Sequence, residues 1–334
     1  MNKPTLILTI DTEGDNLWHN SDKITTKNTN FLPRFQELCE KYQFKTTWLT
    51  NYEMSIDPQY IEFAKNIITN KSGEIGMHLH AWNNPPLYNL TQNDLCYQPY
   101  LIEYPKKIMR EKVIYITSLL EDTLQIKMRA HRAGRWAFNT FYAKLLIEQG
   151  YQVDCSVTPK INWQFSIGDP QGSGGTNYQK FFDYAYFIDQ HDISKAGQSS
   201  LLEVPMSTQY KHSEFINQIK KIYNNLYYKK KCSTSVNWLR PQKGNIAQML
   251  KIVKNAILRK KDYLEFMIHS SELMPGGSPT FKNKKDIDIL YDNLEELFNY
   301  LHMRTISRSL SEYYIHKSKN RNVHLNDENF YINL

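Results

Sequence analysis

The chain has 334 residues, enough for one large α/β domain or two small ones. Its apolar content, 41%, is sufficient for a core, and aromatic residues are plentiful, with tyrosine leading at 23. The net charge of +7 mixes both signs, which excludes a histone-like polycation and leaves only a mild fit to an anionic substrate or a membrane surface.

Cys39, Cys96, Cys155 and Cys232 are scattered with no CxxC pair, which argues against a disulfide framework and against a thiolate zinc site. Lys3 is the only charge before the first apolar run, and Asp11 cuts that run short, so it reads as neither signal peptide nor membrane span. No other stretch approaches the ~20 apolar residues of a spanning helix. The expectation is a soluble, cytoplasmic protein, with peripheral membrane contact compatible with its basic runs.

The first predicted strand is the stretch Thr5 to Asp15, an apolar run that ends in Asp11 and Glu13, followed by a glycine. Residues two apart on a strand face the same way, so both carboxylates project together from the strand tip. Each needs a partner or a cation; a turn or helix-cap pair is the plain alternative. A polar loop to about Asn30 follows, then a helix from Phe31 to Tyr42 with apolar residues at helical spacing. Phe44 to Thr50 reads as a second strand. Asp57-Pro58 starts a helix that runs to about Ile68. Gly73 to His80 is the third strand.

Ala81 to Pro105 is a long loop rich in Asn, Pro and Tyr, and loops of that length are usually functional or disordered. A helix from Lys106 to Glu121 leads to a strand from Ile126 to Arg132. A helix from Phe138 to Gln149 leads to a strand from Gln152 to Ser156. A second long loop, Val157 to about Phe182, precedes the strand Leu201 to Pro205. Helices from Ser213 to Tyr228 and from Asn245 to Leu258 each end in a basic run, which complements the helix dipole. Tyr263 to His269 is a strand, Lys285 to Met303 a helix, and a short strand closes the domain. Residues 1–315 read as a single catalytic unit and 316–334 as a polar, loosely held tail.

Strands alternating with helices imply parallel βαβ units. About seven of them suggest a barrel, whose active site forms at the C-terminal strand ends. Chemically loaded residues fall at those ends: Asp11 and Glu13, His78 and His80, Arg132, and His269. Glu13, His78 and His80 make a metal set, because two imidazoles and a carboxylate with one open position is the arrangement of catalytic zinc. Cobalt, manganese, iron or nickel would fit the same donors. A metal lowers the pKa of its bound water, and Asp11 is the natural base to take the proton. Arg132 can keep Asp11 ionised, and His269 can protonate a leaving group. The composite reads as metal-assisted hydrolysis of an amide or ester. Trp82, Trp136 and Trp163 follow the site strands and suit sugar stacking, with core packing as the plain alternative.

These motifs resemble the polysaccharide deacetylases, carbohydrate esterase family four. Thr9-Ile10-Asp11-Thr12-Glu13 is similar to the first family motif, and Glu74-Ile75-Gly76-Met77-His78 to the run into the histidine motif. Arg132-Ala133-Gly134-Arg135-Trp136 is similar to the third motif, and Ile268-His269-Ser270 to the last. The strings Gly76 to Trp82 and His269 to Pro279 resemble a branch associated with lipopolysaccharide and surface-glycan biosynthesis. The resemblance implies a deformed (β/α) barrel, hydrolysis of an N-acetyl group from a sugar or glycan, and a divalent metal, zinc first. It adds Arg135 and Glu272, within these strings, to the substrate contacts. The family commonly separates its metal histidines by three residues. Here Trp82 stands four after His78, so either His80 substitutes or one ligand is missing. A metal-independent amidohydrolase and a catalytically silent glycan-binding protein are the competing expectations. Nucleic acid is excluded as a partner, since the basic runs are short and no reader motif occurs.

Overall fold

A computed structural model describes residues 3–15, 17, 24–166, 172–211 and 236–331. The helix expected from Ser213 to Tyr228 and its basic end lie outside the described residues.

The strands are β1 Thr5–Thr12, β2 Thr46–Thr50, β3 Gly73–Leu79, β4 Ala130–Ala133, β5 Val153–Asp154, β6 Tyr186–Phe187, β7 Leu202–Glu203, β8 Thr208–Tyr210, β9 Val236–Trp238, β10 Tyr263–His269 and β11 Ile306–Ser307. The α-helices are α1 Leu32–Lys41, α2 Tyr52–Ser55, α3 Pro58–Asn70, α4 Asp94–Tyr97, α5 Lys106–Leu124, α6 Thr140–Glu148, α7 Ile246–Leu258, α8 Lys284–His302 and α9 Leu310–Tyr331. The main sheet runs β10-β1-β2-β3-β4-β5-β7-β6. The first seven strands in that order are parallel, and β6 joins β7 antiparallel. Its β7 and β10 sides are tied by Tyr263 Oη donating to Pro205 O (2.6 Å) and by the Glu265 amide donating to Ser207 Oγ (2.9 Å). The result is the deformed (β/α) barrel expected, wrapped by helices.

Strand periodicity sorts the side chains. Leu6, Leu8 and Ile10 of β1 join the large core under the helices, while Ile7 joins a second cluster inside the barrel with Leu49, Ala130, Val153, Leu202 and Val204. Thr9 and Asp11 share the face of Ile7, so one column of β1 passes from apolar to polar to charged toward its C-terminal end. Ala130 and Arg132 repeat this on β4.

The lower end of the barrel is closed by α9, whose Leu310 and Tyr313 are both fully buried against the inner cluster. α9 runs from Leu310 to Tyr331 and so includes most of the stretch expected as a polar tail. No glycine or proline interrupts 310–331, so nothing in the chain stops the helix. Arg321 anchors it by donating to Ser199 O (3.1 Å) and lying over the Phe187 ring. The long loop after β3 is also pinned: the buried Lys112 ammonium of α5 donates to Asn84 O (2.5 Å) and Pro86 O (2.7 Å). No helix among the described residues is long and apolar enough to cross a membrane.

Candidate active site

The charged top of the barrel lumen is one contiguous cluster. β1 and β10 pair in register so that Asp11 lies opposite His269, and β3 pairs with β4 so that His78 lies opposite Arg132. Asp11, Glu13, His78, His80, Arg132 and His269 are all buried.

Glu13, His78 and His80 converge. His78 Nε2 and His80 Nε2 are 3.0 Å apart, and they lie 3.8 and 3.3 Å from Glu13 Oε2. Donors about 2.0–2.2 Å from a tetrahedral zinc ion stand roughly 3.3 Å from one another, which is close to this spacing. His78 Nδ1 donates to Arg132 O (2.9 Å), so its neutral ring presents the Nε2 lone pair to the site. Burial holds the His78 imidazole down to about 4, despite the pull of Asp11, and holds His80 well below the usual range, helped by His78. Both rings are therefore neutral at pH 7. Burial, then Asp11, pushes the Glu13 carboxyl well up, so the three side chains present lone pairs and an acid that a cation would favour as its anion. The residues fit a divalent metal. Among the described residues they are also the one group of His, Cys, Asp and Glu with metal-ligand spacing.

His80 thus stands beside His78 as the second imidazole. Trp82, at the place where a histidine is common in the family, stacks on the His80 ring at 4.4 Å and 24°. Gly134 permits this crowding, since a Cβ there would lie 2.3 Å from Leu79 O and 2.5 Å from His80 Cδ2. The Glu13 backbone is clamped as well. Its amide donates to Ser270 Oγ (3.0 Å), and Asn28 Nδ2 donates to its carbonyl (2.7 Å).

Asp11 is set apart by Arg132. The fully buried guanidinium donates to Asp11 Oδ1 (2.5 Å), Thr9 Oγ1 (2.9 Å) and Cys155 O (3.1 Å), and it also pairs closely with Glu265. Burial alone would raise the Asp11 carboxyl; Arg132, His78 and His269 outweigh it and hold the group below its ordinary value. Asp11 Oδ2 faces His269 Nε2 at 3.8 Å. Behind His269, Glu272 Oε2 accepts from the His269 amide (2.9 Å) and lies 3.2 Å from Nδ1, while Arg240 Nη2 donates to Glu272 Oε1 (3.0 Å).

Glu272 was expected to touch substrate. Its oxygens are instead turned to His269 and Arg240, because the turn after β10 brings residue 272 back over residue 269. The Glu272 carboxyl is driven down to about 2: burial opposes this, but Arg240 and His269 prevail. Its folded pKa lies below its ordinary 4.5, so its stabilisation is present above about pH 4.5 and lost as pH falls toward 2. Glu272→Gln is therefore expected to cost on the order of 3 kcal/mol at pH 7. The gap to the wild type should close as denaturant titrations move from pH 5 to pH 2.5.

The aromatic residues form a wall beside this cluster. Trp136 lies over the Arg132 guanidinium (4.8 Å) and meets Trp238 edge to face at 5.5 Å; Trp163 meets Trp238 at 6.2 Å. Trp163 Nε1 donates to Thr158 Oγ1 (2.8 Å). Arg135 is exposed over the Tyr100 ring. Arg135 and Trp136 have φ of 53° and 61°, left-handed backbone where the chain turns out of β4. Arg240, Trp238, Asn28 and Glu265 were not among the residues singled out from the sequence. Only Glu265 carried a signal, as a lone acid inside the apolar run of β10.

No protein-family model matches the chain, and no curated protein matches it. Among solved structures it is similar to a candidate polysaccharide deacetylase from Mycobacterium smegmatis, at 14% identity and a TM-score of 0.53, covering 96% of this chain and 92% of that one. It is also similar to a candidate glycoside hydrolase/deacetylase from Parabacteroides distasonis, at 10% identity and a TM-score of 0.61, covering 93% and 70%. The chain is therefore built on the fold of the polysaccharide deacetylases, as its motifs suggested.

Proposed function

We propose that the protein is a metal-dependent hydrolase that removes an N-acetyl group from a sugar in surface-polysaccharide or lipopolysaccharide biosynthesis. The observation that carries this reading is the convergence of Glu13, His78 and His80 beside an Arg132-paired Asp11, with His269 across from it.

Glu13, His78 and His80 would hold the metal. When bound, a divalent cation supplies Lewis acidity at the acetyl carbonyl and makes water a better nucleophile. Asp11 accepts the proton of the attacking water through Oδ2, since Oδ1 is engaged by Arg132. His269 delivers a proton from Nε2 to the departing sugar nitrogen, its ring held on the Nδ1 side between Arg240 Nη2 (2.9 Å) and Glu272 Oε2 (3.2 Å). The C–N bond breaks, and the products are acetate and the free amine. Trp163 and Trp238 offer ring faces for the sugar, with Arg135 at the rim. Trp82 and Trp136 back His80 and Arg132 and complete the wall.

The test is acetate release from N-acetylhexosamine oligosaccharides, with and without a chelator. The reading predicts release that chelation abolishes and added zinc restores. Release that survives chelation would make it a metal-independent amidohydrolase. Glycan binding with no release from any such substrate would make it a binding protein.

A further inference from the structure

The metal set spans two strands that are not neighbours. Glu13 follows β1, and His78 and His80 lie on and just past β3; β2 runs between them and contributes no donor. What the β2 segment contributes lies just beyond its end. Glu53, in α2, is 8% exposed. Its Oε1 accepts from the Gly14 amide (2.9 Å) and from Asn51 Nδ2 (2.5 Å), and its Oε2 accepts from Asn83 Nδ2 (2.6 Å).

One buried carboxylate thus ties together the segments leaving β1, β2 and β3. Gly14 is the residue after Glu13, and Asn83 is three past His80. The approach at Gly14 is tight: a Cβ there would lie 3.2 Å from Glu53 Oε1 and 2.4 Å from Ile24 Cγ2. All three partners are N–H donors, and both Glu53 oxygens serve them as acceptors. Buried carboxylate bonds of this kind are stronger than neutral ones, and losing them leaves amide donors stranded.

We propose that Glu53 is a positioning residue, whose carboxylate spans the β2 gap and holds Glu13 and His80 at one convergence point for a divalent cation. The proposal rests on the metal reading above. Glu53 itself touches neither cation nor substrate.

The test is zinc affinity of the purified full-length protein, measured by competition with a chromophoric chelator for wild type, Glu53→Ala, Glu53→Gln, His80→Ala and the double variant Glu53→Gln with Asn83→Asp. Outer-shell partners of metal ligands typically contribute 10–100-fold in affinity. Glu53→Ala is expected to weaken zinc by about that factor. Glu53→Gln should lose less, because its amide oxygen can still accept from Gly14 and Asn51 while its NH2 opposes that of Asn83. The double variant reverses donor and acceptor at that contact and should recover most of the Glu53→Gln loss. A purely structural role for Glu53 would lower the melting temperature without this reversal.

Wild-type affinity in folded Glu53→Ala would overturn the proposal. If that variant does not fold, no loss in Glu53→Gln, or no recovery in the double variant, would overturn it. If wild type and His80→Ala titrate alike, the metal reading fails, and this inference fails with it.

Discussion

Arg132→Met is expected to destabilise the fold by about 3–5 kcal/mol at pH 7.5 and to abolish activity, because it strands the buried Asp11 carboxylate. The guanidinium is fully buried and serves Asp11 and Glu265 at once. Burial already pushes Glu265 up to about 8 with Arg132 present, so that residue can shed its charge by binding a proton. Asp11 has no such ease while Arg132 holds it ionised. Once the guanidinium is gone, burial is the dominant influence on Asp11 and raises its pKa above the unfolded value. The folded state then binds more protons than the unfolded state, and stability falls as pH rises. Denaturant unfolding should thus show the variant closer to wild type at pH 4.5 than at pH 7.5. A pH-independent difference would mean that lost packing, and not a stranded acid, is the cost.

Asp11→Asn is the complementary change. It keeps the shape and leaves Arg132 its contacts with Glu265, Thr9 and Cys155. The effect on folding should be small compared with Arg132→Met, while removal of the base should lower kcat by about 10²–10⁴-fold with KM little changed. His269→Gln removes the acid and is expected to fall in the same range, but more steeply for substrates with poorer leaving groups. Acetate release under single-turnover conditions would distinguish the two. An Asp11→Asn enzyme with wild-type kcat would exclude Asp11 as the base.

Most of the site was legible because strand periodicity carries it. Asp11 and Glu13, and His78 and His80, are pairs at spacing two, and only an extended chain puts both members on one face. The end of β10 at His269 followed from the apolar run before it. Other strand limits were harder to see. Ile126 to Arg132 reads as a strand, yet the ladder runs only from Ala130 to Ala133, since hydrogen-bonded pairing depends on neighbours remote in sequence. The role of Glu272 was hidden for another reason: a turn at residues 270–273 folds the acid back onto His269, a local geometry with no periodic signature. Arg240 arrives from the segment after β9, and only the tertiary fold brings it to Glu272.

On the proposed reading, Glu13, His78 and His80 form one metal centre at the mouth of the barrel. Crystals of the metal-loaded protein, measured at an absorption edge of the bound metal, test it most directly. A single anomalous peak is expected within about 2.0–2.2 Å of His78 Nε2, His80 Nε2 and a Glu13 oxygen, lost in His80→Ala. A fully loaded crystal with its peak elsewhere, or with His80 turned away from the ion, would contradict it.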